Sequence, residues 1–513
     1  MFILDLIVSK AISTKCTLKL VYDCSATRYF KTPISVKLVQ VNSFIFSHKL
    51  AQMASNHTEQ NGKESNLSEE NNEELLLPPK TVNGMRELNK EAFQKTIIVP
   101  CLKVEATKLP HLISVLKKYL LKLAKFKPIQ DNGSPEFRKI LLNPCQIKNW
   151  PDFDEGTRKI FDQLKIDSSS LTKTSVNMGY DNWSAEVILK SILPKDGHPL
   201  TSFSNVGHII HVNIKEHLMD YKLIIGQVLV DKVPSCRTVV NKTCAIDNTY
   251  RNFAMEILCG DDDMITQVKE NNCVFALDYS TVFWNSRLST EHTRIVALLN
   301  KHDVLFDVFC GIGPFSIPGA KKKCHVYAND LNPESYKWLN HNITLNKIKP
   351  EYITTYNKDG SDFILTDVKE NLLKIWKNEL YEQSKIHIVM NLPGSAITFV
   401  KNFNKLFSID EVEDIIDKVK NQLPTVHLYY FVKDEEPMNV AYKVFEETTS
   451  VKLEPDDYQL HSVRSVSNNK DQIKISFKMP FNYLIDGDNL KHCLENDNDD
   501  EKTDEPVLKK QCL

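Results

Sequence analysis

The sequence predicts an α/β protein in which a Rossmann-like, doubly wound sheet follows two smaller α/β or α+β domains. Its 513 residues are more than one hydrophobic core normally supports. Between about residues 281 and 480, apolar strand-like segments alternate with segments of helical periodicity, the pattern of a doubly wound sheet. Upstream of residue 281, short β-branched segments and one Lys-rich apolar run predict the smaller domains.

The two ends of the chain are predicted to lie outside the folded domains. Residues 1–52 contain seven Lys or Arg against two Asp, and a long polar stretch follows, so residues 1–84 are assigned to a basic leader and a disordered linker. A mitochondrial transit peptide fits this leader, although its single Arg is low for one, and a merely disordered leader is the alternative. The acidic, Asn/Asp-rich end predicts a disordered tail over residues 481–513.

Two small domains are predicted between the leader and residue 281. Over residues 85–166, the strand-like "FQKTIIVPCLKV" precedes "LISVLKKYLLKLAKF", which predicts a basic amphipathic helix, with ordered structure beginning near Met85. Such a helix face is most often a solvated surface, and RNA binding is the alternative. Over residues 167–280, a domain built on a sheet is predicted from β-branched segments that include "HIIHVNI", "LIIGQVLVDKV", "RTVVNKT" and "CVFALDYS".

Membrane and metal functions are disfavoured. No apolar run reaches the length of a membrane span, and the opening "MFILDLIVS" is short and interrupted by Asp5. The 12 cysteines are scattered singly, without Cys-x-x-Cys or a Cys/His cluster at zinc-ligand spacing. We therefore expect reduced thiols, no metal site and no membrane partner.

The domain over residues 281–480 is predicted from its own strands and helices. Its predicted strands are "VLFDVFC", "CHVYAND", "YITTYN", "IHIVMNL", "VHLYYFV" and "KISFKM", and segments such as "PESYKWLNHNITLNKI" and "DEVEDIIDKVKNQL" have helical periodicity. In a sheet of this kind ligands bind at the carboxyl ends of the strands, so the residues there are the candidate site.

The turn after the first of these strands, "DVFCGIGPF", predicts a nucleotide-type ligand. Gly311 and Gly313 allow a tight turn and a close backbone approach, and the following helix start offers free amides. Ser316 stands where the dinucleotide fingerprint has its third glycine, which disfavours a Rossmann dehydrogenase. At the strand end, the Asp307 carboxylate suits the zwitterionic methionine part of S-adenosyl-L-methionine better than it suits a diphosphate.

The next strand ends extend this interpretation. Asp330, 19 residues after Gly311, ends the second strand and can accept both ribose hydroxyls, and Asp359 at the third can receive the adenine amino group. Asn391 ends the fourth, in "VMNLPG", where nucleic-acid methyltransferases place an amide that holds the target base; a plain turn is the alternative. Together these positions predict S-adenosyl-L-methionine as cofactor.

Longer segments resemble a known family. "VFWNSRLSTEHTRI", "DVFCGIGPFSIP", "NDLNPESYKWLNHNITLN" and "MNLPGSAITFV", in this order, closely resemble the eukaryotic and archaeal tRNA (guanine-37, N1)-methyltransferases, and "VGHIIHVNI", "IGQVLVDK" and "IDNTYRNFAMEILCG" resemble their middle domain. The likeness runs from about Met85 to Pro480. It implies a class I methyltransferase domain over residues 281–480, preceded by a small domain that contacts the outer corner of tRNA and a middle domain beside the active site.

The resemblance also implies an activity. Members of the family act as monomers on the guanosine 3′ to the anticodon, in cytoplasmic and mitochondrial tRNAs, and begin wybutosine synthesis in eukaryotes. The implied compartments are the mitochondrial matrix, the cytoplasm and the nucleus. Two departures from the family pattern, Cys310 for the common alanine and Ser286 for the usual proline, leave the activity intact but question the path of the turn at residues 285–288.

By position in the family's motifs, two sets of residues are implied. Glu291 and Arg251 would serve the chemistry, Glu291 by removing the N1 proton and Arg251 by bonding O6, while Asn391 would fix the base edge. Arg287 is interpreted as a structural or phosphate contact. The implied cofactor contacts are His292, Asp330, Leu331, Asp359, Gly360 and Asn391.

Two other functions stay open at this point. One is a wybutosine-pathway transferase, which would move an aminocarboxypropyl group from the same cofactor. The other is a non-catalytic tRNA-binding protein that has kept the fold, against which the intact acidic and amide positions argue.

Overall fold

The computed structural model describes residues 74–195, 203–243, 254–467 and 469–486. Residues 1–73 of the predicted leader and linker, Arg251 and residues 487–513 of the predicted tail lie outside these described residues, whereas the disorder predicted for residues 74–84 was wrong. Ordered structure begins before Met85, since helical turns cover Glu74–Leu76 and Lys80–Val82 and the Val82 side chain is fully buried. Among the described residues, no helix has the length and apolar character needed to cross a membrane.

The first sheet is antiparallel, with strand order β2-β3-β1-β4. It comprises β1 (Lys95–Glu105), β2 (Ile129–Asp131), β3 (Phe137–Leu141) and β4 (Leu171–Met178), accompanied by α1 (Leu109–Leu116) and α2 (Glu155–Gln163). The prediction of a long basic helix over "LISVLKKYLLKLAKF" was wrong beyond Leu116. There the chain turns into the sheet, because the Leu121 amide donates to the Leu141 carbonyl and Leu120 bridges Leu142.

The second sheet has the order β5-β6-β7-β8, and only β6 and β7 are parallel. Its elements, with the hairpin that follows, are α3 (Ala185–Ile192), β5 (Ser204–Val206), β6 (Ile209–Val212), α4 (Lys222–Lys232), β7 (Thr238–Lys242), β8 (Met255–Gly260), β9 (Ile265–Glu270) and β10 (Cys273–Asp278). Interpreting "LIIGQVLVDKV" as part of the sheet was wrong, because it forms α4. Ile224, Ile225, Val228 and Leu229 recur at helical spacing and are buried, so packing overrides the strand preference of the β-branched Ile and Val residues.

The first two sheets share a hydrophobic core. Met178 from β4, Ile188 from α3, Ile225 from α4 and Val239 from β7 are buried in one cluster. The boundary predicted at residues 166 and 167 stays a prediction, and β4, although it follows that boundary, pairs along β1 of the first sheet.

The main sheet has seven strands in the order β13-β12-β11-β14-β16-β18-β17. The first five are parallel, whereas β18 and β17 are antiparallel to their neighbours. The strands are β11 (Val304–Asp307), β12 (His325–Asn329), β13 (Ile353–Tyr356), β14 (Ile386–Met390), β16 (Thr425–Lys433), β17 (Tyr458–Ser467) and β18 (Lys470–Lys478); a separate short pair joins β15 (Phe407–Ser408) to β19 (Ile485–Asp486).

Helices cover both faces of this sheet, as predicted for a doubly wound fold. Phe306 of β11 packs into a core that includes Trp376 and Phe445, whereas its neighbour Leu305 packs into another with Leu339. Successive strand residues point to opposite faces, so both faces are buried. The helices are α5 (Ser289–Leu298), α6 (Ser316–Lys321), α7 (Pro333–Leu345), α8 (Gly360–Phe363, continued by a π-helical turn, Ile364–Val368), α9 (Lys369–Lys377), α10 (Ala396–Phe399), α11 (Ile409–Val412), α12 (Ile416–Asn421), α13 (Pro437–Thr449) and α14 (Phe481–Leu484).

The prediction of a disordered tail from residue 481 was wrong for residues 481–486. Residues 481–486 form α14 and β19, and both Leu484 and Ile485 are buried in the core. The acidic composition that suggested disorder belongs to the residues after these two apolar side chains.

Candidate active site

The glycine turn leaves β11 in a conformation that favours glycine. Gly311 and Gly313 have φ angles of +54° and +96°. A Cβ on Gly313 would lie 2.8 Å from Leu339 Cδ1, so the missing side chain lets the turn pack against α7. At Gly311 a Cβ would meet no atom within 4 Å, so this side of the turn is open to a ligand.

One buried amide ties three strand ends together. Asn329 Nδ2 donates to the carbonyls of Val308 and Lys358, both at 3.1 Å, and its Oδ1 accepts from the Lys358 amide at 3.0 Å. The next residue, Asp330, accepts the Gly311 amide hydrogen at 2.8 Å. The structure therefore brings the first three predicted strand ends together. Asn329 was missed because an asparagine at a strand end has no distinctive pattern around it.

The remaining positions predicted for the nucleoside part lie along this edge. Asp330 is half-buried, and burial raises the pKa of its carboxyl. Leu331, the next residue, exposes 38% of its surface. Asp359 caps α8 by accepting the Ser361 amide at 2.8 Å, and Gly360 lets the Phe309 ring approach, since a Cβ there would lie 2.8 Å from it.

Asp307 is a fully buried carboxyl beneath the turn. Its Oδ2 accepts the Ser316 hydroxyl at 2.6 Å, and its Oδ1 has no hydrogen-bond partner among the described residues. Burial raises the pKa of Asp307 to about 7, and the nearby Asp330 acts in the same direction. A buried carboxylate oxygen without a partner fits a positively charged ligand group, which agrees with the cofactor predicted here.

His292 lies beside the turn but is bound from the other side. Its ring meets Phe315 edge-on, with centroids 4.8 Å apart. Its Nδ1 lies 2.6 Å from Glu270 Oε1, at the end of β9. The ring is buried, so this carboxylate sets its orientation.

Glu291, the predicted base, is held in a buried network. Tyr429 donates its hydroxyl to Oε1 at 2.6 Å. Arg294, one turn further along α5, donates from Nε at 2.8 Å and from Nη2 at 3.0 Å, one bond to each carboxylate oxygen. His461 Nε2 lies 3.9 Å from Oε2. The carboxylate is therefore oriented by donors on several sides.

The groups around Glu291 have perturbed titration. Burial raises the pKa of Tyr429 far above its usual range, and the carboxylate it bonds adds to this, so the phenol stays a donor. Burial and the nearby Arg294 lower the pKa of Lys474 to about 8. Burial and Arg294 also lower the pKa of His461, which Glu291 partly offsets. Sequence reasoning missed Tyr429, His461 and Lys474, which come from strands far along the chain.

Asn391 lies at the end of β14, half-buried. Its Oδ1 accepts from Gln472 Nε2 at 3.5 Å, and Gln472 Oε1 accepts from Arg464 Nε at 3.0 Å. Neither Gln472 nor Arg464 was predicted, since both lie on the strand pair β17–β18, which carries no recognisable signature.

A cavity of about 340 Å³ opens beside this group, within the range typical of ligand pockets, roughly 300–1,000 Å³. Its walls include the exposed aromatic rings of Phe203 and Phe283 and the cations Arg287 and Arg464. Burial and the nearby Arg287 lower the pKa of Arg464, so two positive charges face the same space. Aromatic and cationic walls together suit an anionic, planar group such as a nucleotide.

The turn at residues 285–288 and Arg251 were also singled out from the sequence. The turn at residues 285–288, where Ser286 departs from the family pattern, forms a 3₁₀ turn, Ser286–Leu288, capped by Asn285, whose Oδ1 accepts the Arg287 amide at 3.1 Å. Arg251 lies outside the described residues, so the structure does not locate it. Within the described part of the chain, no group of three or more His, Cys, Asp or Glu residues is arranged to hold a metal ion.

Comparisons with known proteins match most of the main sheet and part of the region before it. Residues 266–453 match the family described as the TRM5/TYW2 methyltransferase domain, and residues 185–263 match the TYW2 N-terminal domain. The tRNA (guanine(37)-N(1))-methyltransferase of Pediculus humanus subsp. corporis is 47% identical over 402 residues, covering 78% of this chain and 86% of that protein. The enzyme of the same name from Drosophila melanogaster is 45% identical over 410 residues, covering 80% and 88%.

Among solved structures, wild-type Trm5b from Pyrococcus abyssi aligns with a TM-score of 0.50 at 22% identity, covering 74% of this chain and 99% of that one. At this identity the likeness concerns the fold.

Proposed function

The chain belongs to the tRNA (guanine(37)-N(1))-methyltransferase family, and from this premise we propose how its residues divide the work of methylating N1 of guanosine 37. The protein is a methyltransferase that modifies tRNA, with S-adenosyl-L-methionine as methyl donor. The observation that carries the proposal is the edge of the main sheet. There a partnerless oxygen of Asp307 and the open turn at Gly311 lie on one side, and the oriented Glu291 and Asn391 on the other.

The first group of residues holds the cofactor, which when bound supplies an electrophilic methyl group. Asp307 Oδ1 would hold its positively charged methionine end, and the support is that this buried oxygen has no hydrogen-bond partner among the described residues. Asp330 and Asp359 each keep acceptor capacity for ribose and adenine, although both also accept backbone amides. The residues assigned to this group are His292, Asp307, Gly311, Gly313, Asp330, Leu331, Asp359 and Gly360.

The second group carries out the proton transfer. The N1–H of guanine is weakly acidic, so a positioned base must accept its proton as the new bond to carbon forms. Glu291 is that base, and the support is its burial, at 4% exposure, with Arg294 fixing the direction of both carboxylate oxygens. Arg251 donates to O6, where negative charge grows as the proton leaves, and Asn391 holds the base edge.

The target base must leave the anticodon stack before N1 is accessible. We assign the cavity between Phe283 and Arg464 to the incoming nucleotide, on the strength of its aromatic and cationic walls. Further away, Lys117 follows α1 as an exposed cation and is assigned to the tRNA backbone. Lys118, predicted with it, instead forms an ion pair with Asp154, which reduces the positive charge it offers.

The finer statements rest on the family resemblance alone and belong to the same proposal. They are that the protein works as a monomer, modifies cytoplasmic and mitochondrial tRNAs, begins wybutosine synthesis, and is found in the mitochondrial matrix, cytoplasm and nucleus. The proposed domains are residues 85–166 for the outer corner of tRNA, 167–280 beside the active site and 281–480 for catalysis, with the basic leader and linker confined to residues 1–73.

The test uses the purified full chain, methyl-labelled S-adenosyl-L-methionine and two transcripts of one tRNA, carrying guanosine or adenosine 3′ to the anticodon. Label in 1-methylguanosine from the first transcript alone is expected. Transfer of label from the cofactor's carboxyl carbon instead of its methyl group would indicate the aminocarboxypropyl transferase. No transfer, with cofactor binding confirmed by calorimetry, would indicate a non-catalytic tRNA-binding protein.

A further inference from the structure

The side-chain amide of Asn391 can present either of two chemically opposite groups to a substrate. Its Oδ1 accepts hydrogen bonds, and its Nδ2 donates two. The edge of guanine that contains N1 offers an acceptor at O6 and donors at N1 and N2. The way the amide is turned therefore decides which atom of the base Asn391 binds.

Two neighbouring side chains determine this orientation. A guanidinium has donors and no acceptor, so the Gln472 atom 3.0 Å from Arg464 Nε must be the carbonyl oxygen. The other end of the same amide, Nε2, then faces Asn391 as a donor, 3.5 Å from Oδ1. Asn391 in turn has its oxygen towards Gln472 and its Nδ2 on the opposite side.

Burial makes this order difficult to reverse. Gln472 is 1% exposed, so water cannot readily replace the partner of a reversed amide. Turning it over would place a donor against the Arg464 donor and an acceptor against the Asn391 acceptor, leaving buried polar groups unsatisfied.

A β-bulge in the strand pair β17–β18 places Arg464 opposite Gln472. Ser462 pairs with Ile473, and the next pairing along β17 is Arg464 with Gln472, so Val463 is an extra residue in a β-bulge. In regular pairing Val463 would stand opposite Gln472. The bulge therefore replaces an apolar neighbour of Gln472 by a donor-only cation.

We propose that Arg464 and Gln472 are positioning residues that hold Asn391 with its Nδ2 towards the substrate, so that Asn391 donates to O6 of the target guanine. This inference rests on the proposed function, in which Asn391 binds the base edge. This orientation also keeps Asn391 from competing with Glu291 for the N1 hydrogen. If the Asn391 oxygen faced the substrate, it would accept a hydrogen bond from N1–H, the proton that Glu291 must remove. O6 has two lone pairs, so it can accept from Asn391 and from a second donor.

The test is Gln472→Glu, which keeps the size of the side chain and its contact with Arg464 but offers only acceptors to Asn391. Asn391 must then turn its Nδ2 to the introduced carboxylate and its Oδ1 to the substrate. We expect the single-turnover methylation rate of guanosine 37 to fall by about 100-fold, the effect of losing one donor to a developing negative charge. The affinities for S-adenosyl-L-methionine and tRNA should stay near those of the wild type.

Two further variants complete the experiment. Gln472→Met removes the polar link without reversing it, so a smaller loss, about 10-fold, is expected, since one hydrogen bond that orients Asn391 is lost. Gln459→Glu makes the same chemical change at an exposed position of β17 and should leave the rate unchanged. If Gln472→Glu does not fold, Gln472→Met tests the proposal instead. A wild-type methylation rate for Gln472→Met would overturn it.

A wild-type rate for Gln472→Glu, or an equal loss for Gln459→Glu, would also overturn it. The wild-type chain is measured in the same assay. If it does not methylate guanosine 37, the proposed function fails; if it does, the rates of the variants test the positioning proposal alone.

Discussion

The edge of the main sheet has two halves that are built in different ways. In the cofactor half, formed by the ends of β11, β12 and β13, the linking hydrogen bonds join residues close in sequence, such as Gly311 and Asp330, 19 positions apart. The base half is formed by α5, the end of β14 and the strands β16–β18. It contains local contacts such as Arg294 with Glu291, but its elements are linked by residues 138 positions apart, Glu291 and Tyr429, and 81 apart, Asn391 and Gln472. The first half is specified by local turn chemistry and the second by the pairing of distant strands.

The two halves also differ in which atoms make the contacts. In the cofactor half, several side chains bind backbone amides and carbonyls, as Asn329 does with Val308 and Lys358, although Asp307 accepts the Ser316 hydroxyl. In the base half, side chains bind other side chains, as Arg294 and Tyr429 do with Glu291. We therefore expect substitutions in the cofactor half to change affinity, and substitutions in the base half to change the rate of the chemical step.

The largest effect is expected for Glu291→Gln. The amide cannot take the N1 proton, so the single-turnover rate should fall by about 10²–10⁴-fold, the usual contribution of a general base. S-adenosyl-L-methionine affinity, measured by calorimetry, should be retained. Glu270→Gln is a matched control, because it changes a second carboxylate, bound to His292, that we place outside the proton transfer. Comparable rates for Glu291→Gln and wild type would refute the base.

The next effect is expected in the cofactor half, for Asp330→Ala. This change removes the acceptor of the Gly311 amide together with the proposed ribose contact. Hydrogen bonds to a charged group contribute about 1.5–3 kcal/mol, which corresponds to roughly 10–100-fold weaker cofactor binding by calorimetry. At saturating cofactor the methylation rate should stay within a few-fold of wild type. A large rate loss at saturation would contradict the division between the halves.

The buried Asp307 predicts a pH dependence of stability. Its folded-state pKa of about 7 lies above the value of about 3.9 in unfolded chains. Because this pKa is raised, its contribution to stability is fully present below pH ~4 and is lost as the pH rises to about 7. Between about pH 5.5 and about pH 8 the loss should be roughly 2 kcal/mol. Urea unfolding at these two pH values checks it.

Asp307→Asn is the matched variant for this pH dependence, since its amide oxygen still accepts the Ser316 hydroxyl. It should unfold with a free energy that changes less between the two pH values. If both proteins show the same pH dependence, Asp307 does not titrate in this range. The contrast with wild type isolates one carboxyl among all those of the chain.

The same contrast between local and distant contacts explains what the sequence could predict. All six predicted strands of the main sheet are present, and Gly311 and Asp330 meet as expected, because alternating strands and helices place successive strand ends at one edge. The seventh strand, β17, was not predicted, and neither was the link from Arg464 to Asn391. That link depends on a one-residue bulge, which period-2 patterning cannot show.

Tertiary packing accounts for the other differences. The β-branched α4 is helical because its apolar residues face a sheet, and Gly226 lets α4 approach Leu258, since a Cβ there would lie 2.9 Å from the Leu258 Cβ. The Lys-rich run leaves its helix at Leu116 because the following residues pair with β3. In both segments the local sequence pattern also fits an element that does not form. Contacts with a neighbouring strand determine which element forms.

The smallest effect is expected far from both halves, at the cations after α1. Charge reversal of Lys117, which is exposed, should weaken tRNA binding several-fold and reduce the slope of log affinity against log salt by about one, since one phosphate contact is lost. Lys118→Glu is the comparison, because this lysine is already paired with Asp154. An unchanged tRNA affinity for Lys117→Glu in filter binding at low salt would remove this surface from the tRNA interface. Binding of the substrate would then depend on the cationic cavity at Arg287 and Arg464, close to the base half itself.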